Sequence, residues 1–502
     1  MNWKSSILLL LLVVASVSLA SCSGLNSTCT TNCTNGSAKV TLTLFDTPPT
    51  GTTVLSFSLP IVGISLTPQS GSPVSLYSPS SVTPTEITRL QSDSALIAGG
   101  VSVAAGTYTS LNVTIAATSG VFINSTNSTI TYTLNGSTTT CQAFGVCVLP
   151  AAPATTVAVP ISLTLNGNAT QWIGINVNLN NAILTTGGIS VDFTQPNVLT
   201  ATTTTRTGLP SGAVDTIEDF TGKVTTLSNS SITVQNAITG QSLTAGVVSG
   251  STELDVAPGS YSNCTSANPA ACIAVGSTVS MNANLAADGT LTATEIDLLD
   301  LAATDEIEGV IYPTTINGVV TPGVVGLILL DKSSVSGNSV LSSATYGTAF
   351  LLTSTSNSIT YNVDSGPLTP AIGTNPPGFN GTGNFFAGQV VRAQVTNVAV
   401  ANNINGATAA HVLLRWSRLS GTVNLVSGNV LTLTNIPTYI TTLNSGFTLT
   451  PQVNTYPNNT SFDGVAGVSE LTVGNTAAIR ALFLDSTAGS QFPFLAAKVR
   501  TP

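Results

Sequence analysis

The sequence predicts an all-β protein, with an N-terminal β-sandwich-like domain followed by three small β-barrel or β-sandwich repeats. Three observations lead there. Val, Ile and Thr recur in short period-two runs bounded by Gly, Asn and Pro. No amphipathic helical pattern follows the first 21 residues, and the best short helical turn is Thr85 to Gln91. A phrase opening with Gly-x-Val, or Gly-x-Ile in its second copy, occurs three times after residue 219.

The first element is an address. Lys4 precedes an apolar run of fourteen residues, Ile7 to Ala20, too short to cross a bilayer as a helix and suited to an export signal. Cys22 follows Leu19, Ala20 and Ser21. "LASC" resembles the lipobox of bacterial lipoproteins, which implies lipidation of Cys22 as the first mature residue and a membrane partner held through the acyl chains. Residues 1–21 are then the signal peptide and 22–37 a polar tether. Ser23 lacks an acidic retention signal, so the expected location is the bacterial envelope, outer membrane in preference to inner.

With Cys22 assigned to lipid, six cysteines remain in three close pairs: Cys29 with Cys33, Cys141 with Cys147, and Cys264 with Cys272. Export favours oxidation, so short-loop disulfides are expected, although spacing does not fix connectivity. No Cys-x-x-Cys supports a metal reading.

The body divides by its patterning. "KVTLTLFD" (Lys39 to Asp46), "TSLNVTI" (Thr109 to Ile115) and "GINVNLN" (Gly174 to Asn180) are expected strands of a domain over 38–202. Residues 203–218 lose the alternation and read as a linker. Three repeats are expected over 219–301, 305–416 and 419–502. They align on Gly222, Gly309 and Gly421, the starts of Gly-x-Val or, at Gly309, of Gly-x-Ile, and again on Gly276, Gly388 and Gly474. The spacing between these anchors is 54 residues in the first repeat, 79 in the second and 53 in the third. The second repeat therefore carries a loop insertion near 365–384. Each unit is long enough to own a core, which describes a string of domains.

The phrases "VTLTLFDTPP", "PIVGISLTP", "TEITRLQSDSALIA" and "INVNLNNAILTTGGISVDFTQP" in 38–202 resemble the family called domain of unknown function 4382. The three downstream units resemble domain of unknown function 5666, through Gly-x-Val, the second Gly anchor and an Ala-rich last strand. The resemblances imply envelope or secreted β-proteins and carry no catalytic residues.

Composition narrows the function. Twelve Lys and Arg against 21 Asp and Glu give a net charge of −9, which argues against nucleic acid as a partner. Aromatic residues are 5% of the chain and irregularly placed, unlike the girdles of a membrane barrel. The single histidine, His411, lies in a strand without a sequence partner for base chemistry. Glu295, Asp297, Asp300, Asp305, Glu306 and Glu308 gather at the joint between the first and second repeats. They read first as exposed solubilising charge; the alternative is a calcium site on Glu295, Asp297, Glu306 and Glu308. Trp172 and Trp416 read first as packing residues and, in the alternative, as candidates for a sugar-binding platform. No cofactor is expected.

The resulting expectation is a non-catalytic structural, adhesion or binding protein of the envelope, whose partner is an envelope or extracellular polysaccharide or protein. A polysaccharide-binding protein is the alternative, and a hydrolase of unrecognised type the second.

Overall fold

The computed structural model describes residues 36–49, 52–186, 188–256, 264–300, 304–312, 323–354, 359–401, 404–444, 451–485 and 493–501. The expected signal peptide, Cys22, Cys29 and Cys33 lie outside the described residues. Strands dominate as expected, and no helix among the described residues is long and apolar enough to cross a membrane.

The N-terminal domain holds β1 (Ser37–Thr47), β2 (Thr53–Pro68), β3 (Val74–Tyr77), β4 (Thr83–Glu86), β5 (Ala95–Ala104), β6 (Gly106–Ile115) and β7 (Ser119–Ile123). Then come β8 (Ile130–Leu134), β9 (Ser137–Cys141), β10 (Val146–Val148), β11 (Thr155–Leu165), β12 (Thr170–Asn178), β13 (Ile183–Leu184), β14 (Ser190–Val191) and β15 (Leu199–Thr202). One sheet runs β15-β12-β1-β5, and the other runs β10-β7-β2-β6-β11 with β3 and β4 also paired to β2. Alternation in β1 sends Val40, Leu42 and Leu44 inward, against Phe57, Leu111 and Phe122 of the opposite sheet. The turn expected at Thr85 to Gln91 is a 3-10 helix over Ile87–Gln91.

The three repeats share one topology. The first comprises β16 (Asp215–Leu227), β17 (Ser231–Gln235), β18 (Ser242–Gly246), β19 (Glu253–Val256), β20 (Thr278–Leu285) and β21 (Leu291–Asp300). The second comprises β22 (Glu306–Tyr312), β23 (Val324–Ser333), β24 (Ala349–Thr353), β25 (Thr360–Val363), β26 (Val390–Ala401) and β27 (Ile404–Arg415). The third comprises β28 (Ser417–Ser427), β29 (Val430–Thr434), β30 (Gln452–Thr455), β31 (Ser461–Asp463), β32 (Thr476–Phe483) and β33 (Phe494–Arg500). In each, the third strand of the unit pairs with its last in parallel and closes a five-stranded Greek-key barrel, while the short fourth strand flanks the last. The segment 365–384 lies between β25 and β26 and holds only short helical turns.

Both glycine anchors have a physical reason. A Cβ on Gly222, Gly309 or Gly421 would stand 2.2, 2.1 or 2.8 Å from a carbonyl oxygen of the neighbouring strand. The second anchors, Gly276, Gly388 and Gly474, all have φ +95°, open to glycine and strained for other residues. The two sites are also bonded to one another. Each second-anchor N–H donates to the third residue of Gly-x-Val or its equivalent, at Val224, Ile311 and Val423, over 2.8, 2.9 and 2.8 Å. Three copies of one hydrogen bond hold three equivalent strand crossings.

The domains are packed together rather than strung out. Leu482, Leu484, Leu495 and Ala497 of the third barrel belong to the apolar cluster of the second, with Ile307 and Leu414. Leu55 and Ile123 of the sandwich join Ile328 of the second barrel within the cluster of the third. Strand β16 starts at Asp215, inside the segment expected to be linker, and for the reason given next.

Candidate functional site

The chain has seven arginines, and all of them converge where the four domains meet. Together with Lys498 they pair with nine carboxylates: Asp93, Asp215, Glu218, Asp219, Glu306, Glu308, Asp331, Asp364 and Asp463. Among described residues, only Lys39, Glu253, Asp288 and Glu470 are charged and exposed, and Asp192, Lys223, Asp305 and Asp485 are among those half-buried. A scarce resource has been placed almost wholly inside.

Alternation explains how. On the first, fifth and last strands of each six-stranded unit, one set of side chains fills the barrel and the other points outward, towards the neighbouring domains. In the first barrel the outward set is acidic, through Glu218, Glu295 and Asp297. In the third it is basic, through Arg418, Arg480, Lys498 and Arg500. The second carries both signs, with Arg392 of β26 opposite Glu308 of β22. Glu218 accordingly lies 3.3 Å from both Arg480 and Lys498. Repeats of one fold have become partners by complementary charge.

Asp219 is the hub. It sits at a bulge of β16, between Ile217 and Phe220, with a left-handed backbone (φ +55°) that re-aims its side chain. Its Oδ2 accepts from Arg89 of the sandwich at 2.8 Å and from Arg418 at 2.7 Å, and its Oδ1 from Ser280 at 2.7 Å and from Arg415. Burial pushes its carboxyl upward, but Arg415, Arg89, Arg418 and Arg480 outweigh burial and hold it well below the usual carboxylate range. Arg89 is delivered by the 3-10 turn, whose first N–H groups are capped by buried Glu86 through Thr88 N–H at 3.1 Å. Arg206, in the expected linker, bridges Asp215 at 2.8 Å and Asp463 at 2.7 Å. It draws the chain inward there, which is why β16 begins early.

The expected site residues fall as follows. Cys141 and Cys147 are bonded, as are Cys264 and Cys272. Glu306 and Glu308 are neither exposed nor free for calcium: they are 1% and 0% exposed, and Arg392 donates to both, at 2.8 and 3.1 Å. A guanidinium already supplies their countercharge. Asp305 is tied to the loop N–H groups of Val335 and Ser336 at 2.6 and 2.9 Å. The solubilising reading of this joint therefore gives way to an interior one. Trp172 and Trp416 are buried, so neither offers a face to a sugar. The Trp172 indole N–H donates to Thr43 at 2.9 Å, Thr43 in turn donates to Asp215 at 2.7 Å, and Arg480 lies over the Trp416 ring at 5.4 Å. His411 is half-buried, with Nε2 2.9 Å from Asn362 Oδ1.

Glu295 and Asp297 differ from the other junction acids. Both are 4% exposed, and neither has a basic group within ion-pair distance among the described residues. Burial first, and neighbouring Glu295 and Asp255 next, push Asp297 well above its ordinary value. Burial likewise lifts Glu295 to about 8, against the pull of Arg480.

A crevice of about 90 Å³ opens beside the hub, lined by Glu86, Arg89, Asp93, Glu218, Asp219 and Tyr346 among others. Ligand pockets run to roughly 300 Å³ and more. The arrangement can neutralise charge and fix orientation; its polar groups are turned to one another.

No protein-family model matches the chain, and no curated protein matches it. Among solved structures, the chain is similar to one described as drosophila Unr CSD456, with 12% identity over 57% of this chain and 97% of that one. The TM-score of 0.12 is too low for this likeness to carry an argument.

Proposed function

We propose that this is a lipid-anchored protein of the bacterial cell envelope, held through Cys22, with a non-catalytic structural, adhesion or binding role performed by one rigid body of four β domains. The observation that supports this reading is the inward placement of charge. Seven arginines and Lys498 tie the sandwich to three barrels, while few charged side chains are exposed among the described residues and Ser, Thr and Asn are frequent there. A surface of hydroxyls and amides with few fixed charges suits contact with neutral polymers or protein surfaces. It does not suit phosphate neutralisation, because all seven arginines and Lys498 are already paired. The resemblance of residues 19–22 to a lipobox supplies the anchor, and the likeness of 38–202 and the repeats to uncharacterised envelope domains agrees with it.

The test is metabolic labelling with a palmitate analogue in a bacterial host, comparing wild type with Cys22→Ser, followed by protease treatment of intact cells. Label on wild type alone, with the body reached from outside, is the expected result. An unlabelled protein recovered in the cytoplasm would overturn the reading.

A further inference from the structure

Two buried acids at the junction, Glu295 and Asp297, have no guanidinium within ion-pair distance among the described residues. The short strand β19 runs parallel to β21 in a register that sets Glu253 beside Glu295 and Asp255 beside Asp297, two like-charge pairs in succession. Like charges placed directly opposite are destabilising. From the second barrel, Asp364 comes to the same place, and one carboxylate oxygen from each of Asp255, Asp297 and Asp364 lies within 4.8 Å of the others.

A second feature points to a ligand. Glu295, outside that trio and 4% exposed, has an Oε1 without a hydrogen-bond partner, as does Oδ1 of Asp297. Glu295 Oε1 and Asp364 Oδ1 face the same wall, 3.3 and 3.6 Å from the point that a Cβ on Gly366 would occupy. Gly366 has φ +38°, so the wall is bare backbone. Arg415 binds the other Asp364 oxygen, Oδ2. Asp255 is only half-buried, leaving a side open to solvent.

We propose that Asp255, Asp297 and Asp364, with Glu295, form a calcium site that joins the first barrel to the second. The donors are all carboxylate oxygens. Zinc and copper favour nitrogen and sulfur, and magnesium demands a small octahedral shell; calcium accepts several carboxylates together with carbonyls and water in irregular geometry. The cation supplies the positive charge that arginine supplies elsewhere in the junction. This site stands independently of the lipid anchor and of any role at the cell surface.

Trp416 makes it measurable, because its Cζ2 lies 3.1 Å from the same point beside Gly366. Terbium, which replaces calcium on oxygen ligands, is titrated into the full-length protein after EDTA treatment, with excitation of tryptophan. The expected result is saturable emission that calcium displaces, with calcium raising Tm by about 3 °C at a hundredfold excess over Kd. Asp297→Asn and Asp255→Asn should each abolish both effects, and Asp288→Asn, on an exposed loop, should keep both. If one Asn variant fails to fold, the other decides. The proposal is overturned if wild type gives neither saturable emission nor a calcium-dependent Tm, or if both effects survive in the folded Asn variants; the carboxyls would then be held neutral by protons.

Discussion

Asp219 and Arg418 are 199 residues apart in sequence and meet at 2.7 Å, joining the first barrel to the third. The same carboxylate holds Arg89 of the sandwich at 2.8 Å. A buried pair of this kind is weak as a source of net stability, because desolvation offsets much of the attraction. Its removal is another matter, since it strands the remaining charge. The junction thus selects one arrangement of domains and penalises the rest.

Replacing Asp219 by Asn leaves three guanidiniums short of a partner, and should cost about 3 to 5 kcal/mol in denaturant unfolding. Glu470→Gln on the exposed surface should change stability by less than about 0.5 kcal/mol. A double-mutant cycle of Asp219→Asn with Arg418→Met should be strongly non-additive.

The acid side of the stability curve follows from the direction of the same shift. Asp219 is held well below its ordinary value, so its contribution is present in full above the unfolded carboxylate range, near pH 4. It is lost as pH falls through the folded value. The stability gap between wild type and Asp219→Asn should therefore be constant from pH 7 to pH 5 and shrink towards pH 2. Urea titrations at each pH measure it.

Gly309→Ala and Gly222→Ala should each destabilise their barrels by more than Gly421→Ala, because the added Cβ meets a carbonyl oxygen at 2.1 and 2.2 Å against 2.8 Å. Gly388→Ala, at φ +95°, should cost about 1 to 3 kcal/mol on backbone strain before its contact with Ile440 is counted. Thermal unfolding ranks them.

Under non-reducing conditions Cys141, Cys147, Cys264 and Cys272 should resist alkylation, since each is bonded to its near neighbour. Removing either bridge by paired Ala substitution should cost about 2 kcal/mol, the loop-closure value for rings this small.

How much of this was legible in the sequence depends on the range of the interaction involved. The glycine anchors could be read because steric exclusion acts on one residue and leaves glycine as the fitting choice; the structure binds Gly276 to Val224 and its two counterparts likewise. The all-β class could be read because period two is local. The junction could not be read in the same way. Acids clustered before the first two barrels and arginines before the third were visible, but their meeting is set by the packing of whole domains. Arg206 lay in a stretch without alternation, and the bulge that turns Asp219 has no sequence mark beyond a second acid after Glu218. One signal was available: with 7% charged residues, charge grouped at domain joints is more economically spent on joining than on solubility. Trp172 and Trp416 illustrate the reverse, for burial among neighbours decides what an indole does and one sequence does not show it.

Interior charge locks the four domains into one body, and differential scanning calorimetry of the full chain tests this arrangement most directly. It predicts a single cooperative transition in wild type that splits into separate transitions in Asp219→Asn. Several independent transitions in wild type, unaffected by that substitution, would contradict it.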